Sequence, residues 1–303
     1  MLPPLLQPGD KIGIVAFAKR ISLEEIQPAI AVFESWGLEV VVGETIGAQW
    51  NQFAGNDEQR RADVQHMLDD PSIKALISAR GGYGCVRIID QIDFTHFSNH
   101  PKWLIGFSDI TVFHSHIAQN LSIPTIHATM PVFFKGNTEE AIASLKTVLF
   151  KGKMNFNCAS EQVEFCKDGV AEAEIVGGNL SILYSLCGSV SSTETYGKIL
   201  FLEDLCEYLY HTDRMLNNLK RNGMFSNLAG LIIGGFTDMK DGPVKFGKSI
   251  EEMIFDFCKH LDIPIFTGFP AGHINDNRAI IFGAKCKMEV SEGNIQLNLI
   301  NQA

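Results

Sequence analysis

The 303-residue sequence has no C-x-x-C pair; its seven cysteines stand at 85, 158, 166, 187, 206, 258 and 286. That spacing argues against a zinc ribbon or a thioredoxin-type dithiol. The odd, scattered set fits reduced, mostly buried thiols of a cytoplasmic protein. No apolar run is long enough to span a bilayer. The opening "MLPPLLQPGDKIGIVAFAKR" has no basic stretch ahead of its apolar residues, so no signal peptide is expected. Positive charge is also scarce. Twenty-five Lys and Arg face 35 Asp and Glu, a formal net charge of -10, which makes nucleic acid or an anionic membrane surface a poor partner. There is no repeat of solenoid period, no low-complexity tract, no P-loop ending and no G-x-G-x-x-G fingerprint.

What is present suits a water-exposed globular chain: 46% hydrophobic and 20% charged residues, enough for one large or two medium domains. Strand-like and helix-like segments alternate through the first half. "KIGIVAFA" (11–18), "LEVVVG", "IKALISA" (73–79), "KWLIGF" and "IPTIHATM" read as strands. Between them, 22–37, 56–71, "VRIIDQI" and "DITVFHSHIAQNL" read as helices. Ser22 with Glu25, and Asn56 with Gln59, have capping-box spacing. Pro28 suggests that the first helix starts later than Ser22. Continuous apolar strands in a βαβα rhythm predict a parallel sheet covered on both faces. The rhythm breaks after Pro131. A helix at 138–153 leads into a connector, and a second α+β domain follows. The expected division is 1–135, a connector at 136–164, and 165–303, with "RAIIFGAKCKMEV" and "NIQLNLI" as terminal strands.

Ligands of doubly wound sheets gather beyond the carboxyl ends of the strands. Two loops occupy such ends: "ARGGYGCV" (79–86) and "GFSDIT" (106–111). A serine at a sharp strand-to-helix turn holds its hydroxyl exposed and frees the next N–H, the logic of a nucleophile elbow. By spacing alone, Ser108-Asp109 also reads as a helix N-cap and the glycine loop as a simple turn. A serine nucleophile needs a base. His114 and His116 follow Ser108 on a helix that points them away from the crevice. His127 reads as a satisfied core histidine, and His66, His96, His100, His211 and His260 as surface residues. His273, in the Gly-, Pro- and Asn-rich "GFPAGHINDNRA", lies in a loop with no packing reason to exist. "GKILFLEDLCEYLY" places Glu203 at the end of an apolar strand, with Asp204 and Glu207 as rivals. All three also fit an acidic helix N-terminus.

Taken in order, "LLQPGDKIGIVAFA", "ARGGYGCVRIID", "WLIGFSDIT", "VGGNLSIL", "GKILFLEDLCEYLYHTDRMLNNLKRNG", "LAGLIIGGF" and "FPAGH" resemble the LD-carboxypeptidase family, the S66 serine peptidases, over nearly the whole chain. The resemblance implies a flavodoxin- or class I amidotransferase-like first domain and a smaller, mixed, barrel-like second one. It implies Ser108 as nucleophile, His273 as general base and Glu203, with Glu207 second, as the orienting carboxylate. The backbone amides of Gly82 and Asp109 would form the oxyanion hole. It also implies a homodimer using no metal or cofactor. The substrate expected from the family is murein tetrapeptide, which loses its terminal D-alanine during cell-wall recycling. A related branch hydrolyses microcin C-type peptidyl-nucleotides, usually with a longer chain than this one. A carboxypeptidase must also recognise a carboxylate. Arg80 suits that role as well as it suits a structural ion pair, and a local positive pocket is expected at a place the sequence does not give. Tyr83 and Asn179 are candidate substrate contacts because they lie in the matching motifs. Two rival readings are a non-catalytic small-molecule binding protein and an amidotransferase-like enzyme that uses Cys85.

Overall fold

The computed structural model describes residues 2–300. The first half is built of β1 (Lys11–Val15), α1 (Leu23–Ser35), β2 (Glu39–Val42), α2 (Asp57–Asp69), β3 (Ile73–Ser78), α3 (Thr95–Asn99), β4 (Trp103–Gly106), α4 (Thr111–Leu121), β5 (Thr125–His127) and α5 (Glu139–Lys151). β1, β3, β4 and β5 are buried along almost their whole length. Strands buried on both faces must be covered by helices on both sides, which parallel crossovers supply. The sheet runs β2-β1-β3-β4-β5, all parallel, the flavodoxin-like order.

The second half contains β6 (Asn155–Ala159), β7 (Gly169–Asn179), α6 (Leu180–Leu186), β8 (Ile199–Leu205), α7 (Leu209–Arg221), β9 (Gly230–Thr237), α8 (Ile250–Cys258), β10 (Ile265–Gly272), β11 (Ile280–Phe282), β12 (Lys285–Ser291) and β13 (Asn294–Leu299). Seven of these strands form a mixed, half-barrel sheet in the order β10-β9-β8-β7-β12-β13-β6. β10 to β7 are mutually parallel, and β12, β13 and β6 add on antiparallel. β6 comes from the stretch read as connector. β11 leaves its neighbours and closes the edge of the first sheet, antiparallel to β5.

Three local readings are corrected. α1 starts at Leu23 and runs through Pro28, because the Ser22–Glu25 capping box is complete and Ile26, Ala29 and Phe33 bury one face. "VRIIDQI" is not a helix but two 3-10 turns, Cys85–Arg87 and Ile89–Gln91. Ile88 and Ile89 are adjacent and both buried, whereas neighbouring positions of an α-helix do not share a face. "RAIIFGAKCKMEV" is not one strand. It breaks at Gly283, φ +76°, between β11 in one sheet and β12 in the other.

That break ties the two halves together. The Gly283 N–H donates to the Ile175 carbonyl of β7 at 2.8 Å. The ring of Phe282 lies 6.0 Å from that of Phe201 on β8 and 5.4 Å from that of His127 on β5. Ile105, Ile126, Ile175, Phe201 and Phe282 therefore share one continuous core. Phe282→Ala should cost about 3–5 kcal/mol, the usual range for truncating a buried aromatic. Urea unfolding should show this as a lower midpoint in one transition shared by both sheets. Two separated transitions would contradict a common core.

Candidate active site

β4 feeds the elbow. Its last residue, Gly106, is followed by extended Phe107 and then by Ser108 at φ +62°, in the left-handed region that costs a non-glycine residue about 1–2 kcal/mol. A 3-10 turn, Ser108–Ile110, then runs into α4. His114 secures the turn from beneath. Its Nε2 lies 2.9 Å from the Gly106 carbonyl and its Nδ1 2.8 Å from Thr125 Oγ1. A carbonyl only accepts, so Nε2 carries the proton and Nδ1 accepts from the Thr125 hydroxyl. Burial lowers the His114 pKa to about 4 and keeps the ring neutral.

Asp109 does more than supply an amide. Its carboxyl is buried, and Oδ2 accepts from the Cys85 N–H at 2.9 Å, tying the glycine loop to the elbow. Burial raises its pKa against the pull of that bond. Neither the Gly82 nor the Asp109 N–H donates to a protein acceptor among the described residues. Gly81 packs directly on the nucleophile candidate: a Cβ there would stand 3.1 Å from Ser108 Oγ. Cys85 lies fully buried under the loop, and burial with Asp109 beside it pushes the thiol pKa well above its ordinary value of 9.0. That is the wrong environment for a nucleophilic thiolate.

The other side comes from the second sheet. The carboxyl ends of β7, β8, β9 and β10 all point toward the elbow, and the seam is narrow. The Asn179 N–H donates to Thr111 Oγ1 at 3.1 Å, and a Cβ on Gly178 would come within 2.6 Å of that oxygen. Glu203, inside β8, is fully buried, and its Oε2 accepts from His273 Nδ1 at 2.6 Å. The pairing of β8 with β9 shifts register beside it: the two steps from Leu202 to Asp204 face three from Ile233 to Phe236, so the extra residue lies in β9. His273 follows β10 directly. Its backbone carbonyl accepts from Thr237 Oγ1 at 3.1 Å, and its ring lies 4.8 Å from that of Phe107, the residue before Ser108. Burial pulls the His273 pKa down, but the Glu203 charge and hydrogen bond outweigh it, so the net shift is upward from 6.5. With Nδ1 donating to Glu203, Nε2 is left free to accept a proton.

The rivals fall elsewhere. Glu207 accepts from His211 Nδ1 at 2.6 Å, away from His273. Asp204 points to the opposite face of β8 from Glu203, as neighbours on a strand must. It accepts from Asn179 Nδ2 and the Ser181 N–H, both at 2.9 Å. Burial and the Glu203 charge raise its pKa to about 7. The Asn179 side chain is buried and committed to this bond and to capping α6, where Oδ1 accepts from the Ser181 hydroxyl and the Ile182 N–H. Tyr83 is exposed on the glycine loop, and Arg80 makes no ion pair among the described residues, its Nη1 donating to the Arg20 carbonyl at 3.2 Å. His127 is in the core as expected, but not satisfied: neither ring nitrogen has a partner among the described residues, and burial drives its pKa well down. All seven cysteines are free, but only Cys85, Cys258 and Cys286 are buried.

Family models describe the same two halves. The LD-carboxypeptidase N-terminal domain matches residues 12–128, and the C-terminal domain matches 172–288. The chain belongs to the LD-carboxypeptidase family. A probable murein peptide carboxypeptidase of Bacillus subtilis is 35% identical over 295 residues, covering 96% of this chain and 92% of that protein. A murein tetrapeptide carboxypeptidase of Pseudomonas aeruginosa is 30% identical, with 95% of each chain covered. The solved muramoyltetrapeptide carboxypeptidase of Oxalobacter formigenes superposes with a TM-score of 0.87 at 27% identity, over 96% of this chain and 99% of that one. The microcin self-immunity protein MccF has the same fold, with a TM-score of 0.87 at 20% identity. Among the described residues, no helix is long and apolar enough to cross a membrane.

The site generates two predictions. A base must be neutral to accept a proton, so the acid limb of the kcat/KM profile should lie above the ordinary histidine value of 6.5. Glu203→Gln removes the raising charge and leaves the burial, so that limb should move to lower pH while kcat falls. An unmoved limb would separate Glu203 from the titrating group. Iodoacetamide on the folded protein should label exposed Cys206 and spare Cys85; mass-spectrometric labelling of Cys85 before unfolding would contradict its burial.

Proposed function

We propose that the protein is a murein tetrapeptide LD-carboxypeptidase. Ser108, His273 and Glu203 would act as its triad in hydrolysing the L,D bond that releases terminal D-alanine. The observation that carries this reading is the 2.6 Å His273–Glu203 hydrogen bond delivered against the Ser108 elbow by a separate sheet. A binding protein has no need for that arrangement. The full-length likeness to peptidases named for murein peptides supports the substrate.

In the proposed reaction, His273 Nε2 takes the Ser108 proton as Oγ attacks the carbonyl of the scissile bond. Glu203 fixes the tautomer through Nδ1–H and stabilises the imidazolium that forms. The Gly82 and Asp109 amides, free of protein acceptors, receive the oxyanion; one such donor is worth roughly 3–4 kcal/mol in the transition state. His273 then protonates the departing amine of D-alanine, and water hydrolyses the acyl-enzyme with the same base. Asp109 keeps the oxyanion donors in register through Cys85. Arg80 and Tyr83 line the approach as candidate substrate contacts. Asn179 takes part by holding β7 and α6 at the seam.

The decisive assay is release of D-alanine from L-Ala-γ-D-Glu-meso-diaminopimelate-D-Ala. Wild type should release it, and Ser108→Ala should lose at least about 10³-fold in kcat with an unchanged urea midpoint. Retained turnover in that variant would rule the scheme out. No release by the folded wild type would move the substrate to aminoacyl-nucleotides of the microcin type.

A further inference from the structure

Two cavities flank the elbow. One, of about 290 Å³, lies on the His273 side. It is lined by Phe107, Phe133, Asn137, Asp238, Ile274 and others, with no lysine or arginine. The second, of about 470 Å³, opens beyond the glycine loop and is walled by Lys19, Arg20, Ile21, Ser22, Glu25, Gln49 and Arg80. Three cations thus surround one space in a chain whose net charge is -10. None of them is within ion-pair distance of a carboxylate among the described residues. The one acid in the wall, Glu25, is occupied at the α1 N-cap, where Oε2 accepts from the Ser22 N–H at 2.8 Å and the Ser22 hydroxyl at 3.1 Å. The wall is held by backbone bonds. The Arg20 N–H donates to the Gln52 carbonyl at 3.0 Å, Lys19 bridges to Phe53, and Arg80 Nη1 reaches the Arg20 carbonyl.

This cavity adjoins the candidate machinery. The Lys19 side chain packs where a Gly82 Cβ would stand, 2.8 Å from Lys19 Cβ, and the preceding glycine abuts Ser108 Oγ. Cations held together without counter-ions repel one another, and an anion placed between them relieves that cost. Arginine forks fit a planar carboxylate in two-point contact. Resting on the function proposed above, we infer that Lys19, Arg20 and Arg80 form a carboxylate subsite that anchors the peptide substrate beside the oxyanion loop. The cavity on the His273 side has no cation to offer a carboxylate. The tetrapeptide carries three of these groups: on D-Glu, on the D-centre of diaminopimelate, and at the D-alanine terminus.

The test neutralises each carboxylate in turn. Wild type and a Lys19→Gln/Arg20→Gln double variant are assayed for D-alanine or D-alaninamide release on four peptides: the parent tetrapeptide, its C-terminal amide, the D-isoglutamine analogue, and the analogue with L-Lys in place of diaminopimelate. On the parent, the double variant should raise KM about tenfold or more with kcat within twofold, the scale of a charge-assisted bond. On the peptide lacking the recognised carboxylate, wild type should show that same loss and the double variant no further loss, which identifies the group bound. An unchanged KM on the parent, or an equal loss on all four peptides, would overturn the subsite while leaving the peptidase reading intact. No release from any peptide by wild type would instead fail the peptidase reading, and the subsite with it.

Discussion

Glu203 is a carboxylate with no solvent exposure, and one of its oxygens has no hydrogen-bond partner among the described residues. A buried charge is tolerated only when it is matched, and here the match is the 2.6 Å bond to His273. The two residues lie 70 positions apart, on β8 and just beyond β10. Satisfying that one charge therefore constrains the end of β8, the course of the chain after β10, and the orientation of the imidazole over the elbow. Close approach needs glycine at this point: Gly272 has φ +109°, and a Cβ on it would stand 2.8 Å from Glu203 Cβ.

The same economy governs the pair of acids in β8. Adjacent strand residues face opposite ways, so Glu203 and Asp204 serve different partners from neighbouring positions. One orients the candidate base; the other locks Asn179 and the start of α6 to the seam. Burial, with the Glu203 charge beside it, pushes the Asp204 pKa up to about 7 although three donors fix its carboxyl. On the first sheet Asp109 plays the matching part, its amide left free and its carboxyl bound to the glycine loop. The crevice is thus framed by carboxylates that act on protein, while the cations at its far wall have no carboxylate partner among the described residues.

Much of this was legible in the chain. Ser108 at a strand-to-helix handover, the glycine loop, Glu203 in an apolar strand and His273 in a loop without packing purpose were each visible as local chemistry. The first sheet was visible as rhythm, because a parallel, doubly covered strand must be apolar throughout. What misled was the reach of local rules. Pro28 suggested a late helix start that a complete cap and an apolar face overrode. "VRIIDQI" had helical composition, but its adjacent Ile88 and Ile89 are both buried. His127 sat in an apolar strand, where a partner was expected and none is found.

By itself, the sequence determined residue chemistry and short-range geometry: which segments are strands, where the hydroxyl meets the helix, which residues can accept a proton. These depend on neighbours a few positions away. Tertiary structure alone decided pairings across long separations. It gave Glu203 rather than Glu207 to His273, sent β11 into the first sheet and β12 into the second across Gly283 and Ala284, and gathered Lys19, Arg20 and Arg80 around one space. Such pairings are set by register, bulges and the closeness of two backbones. No periodicity along the chain encodes them, because each results from minimising buried charge and void over the whole core at once.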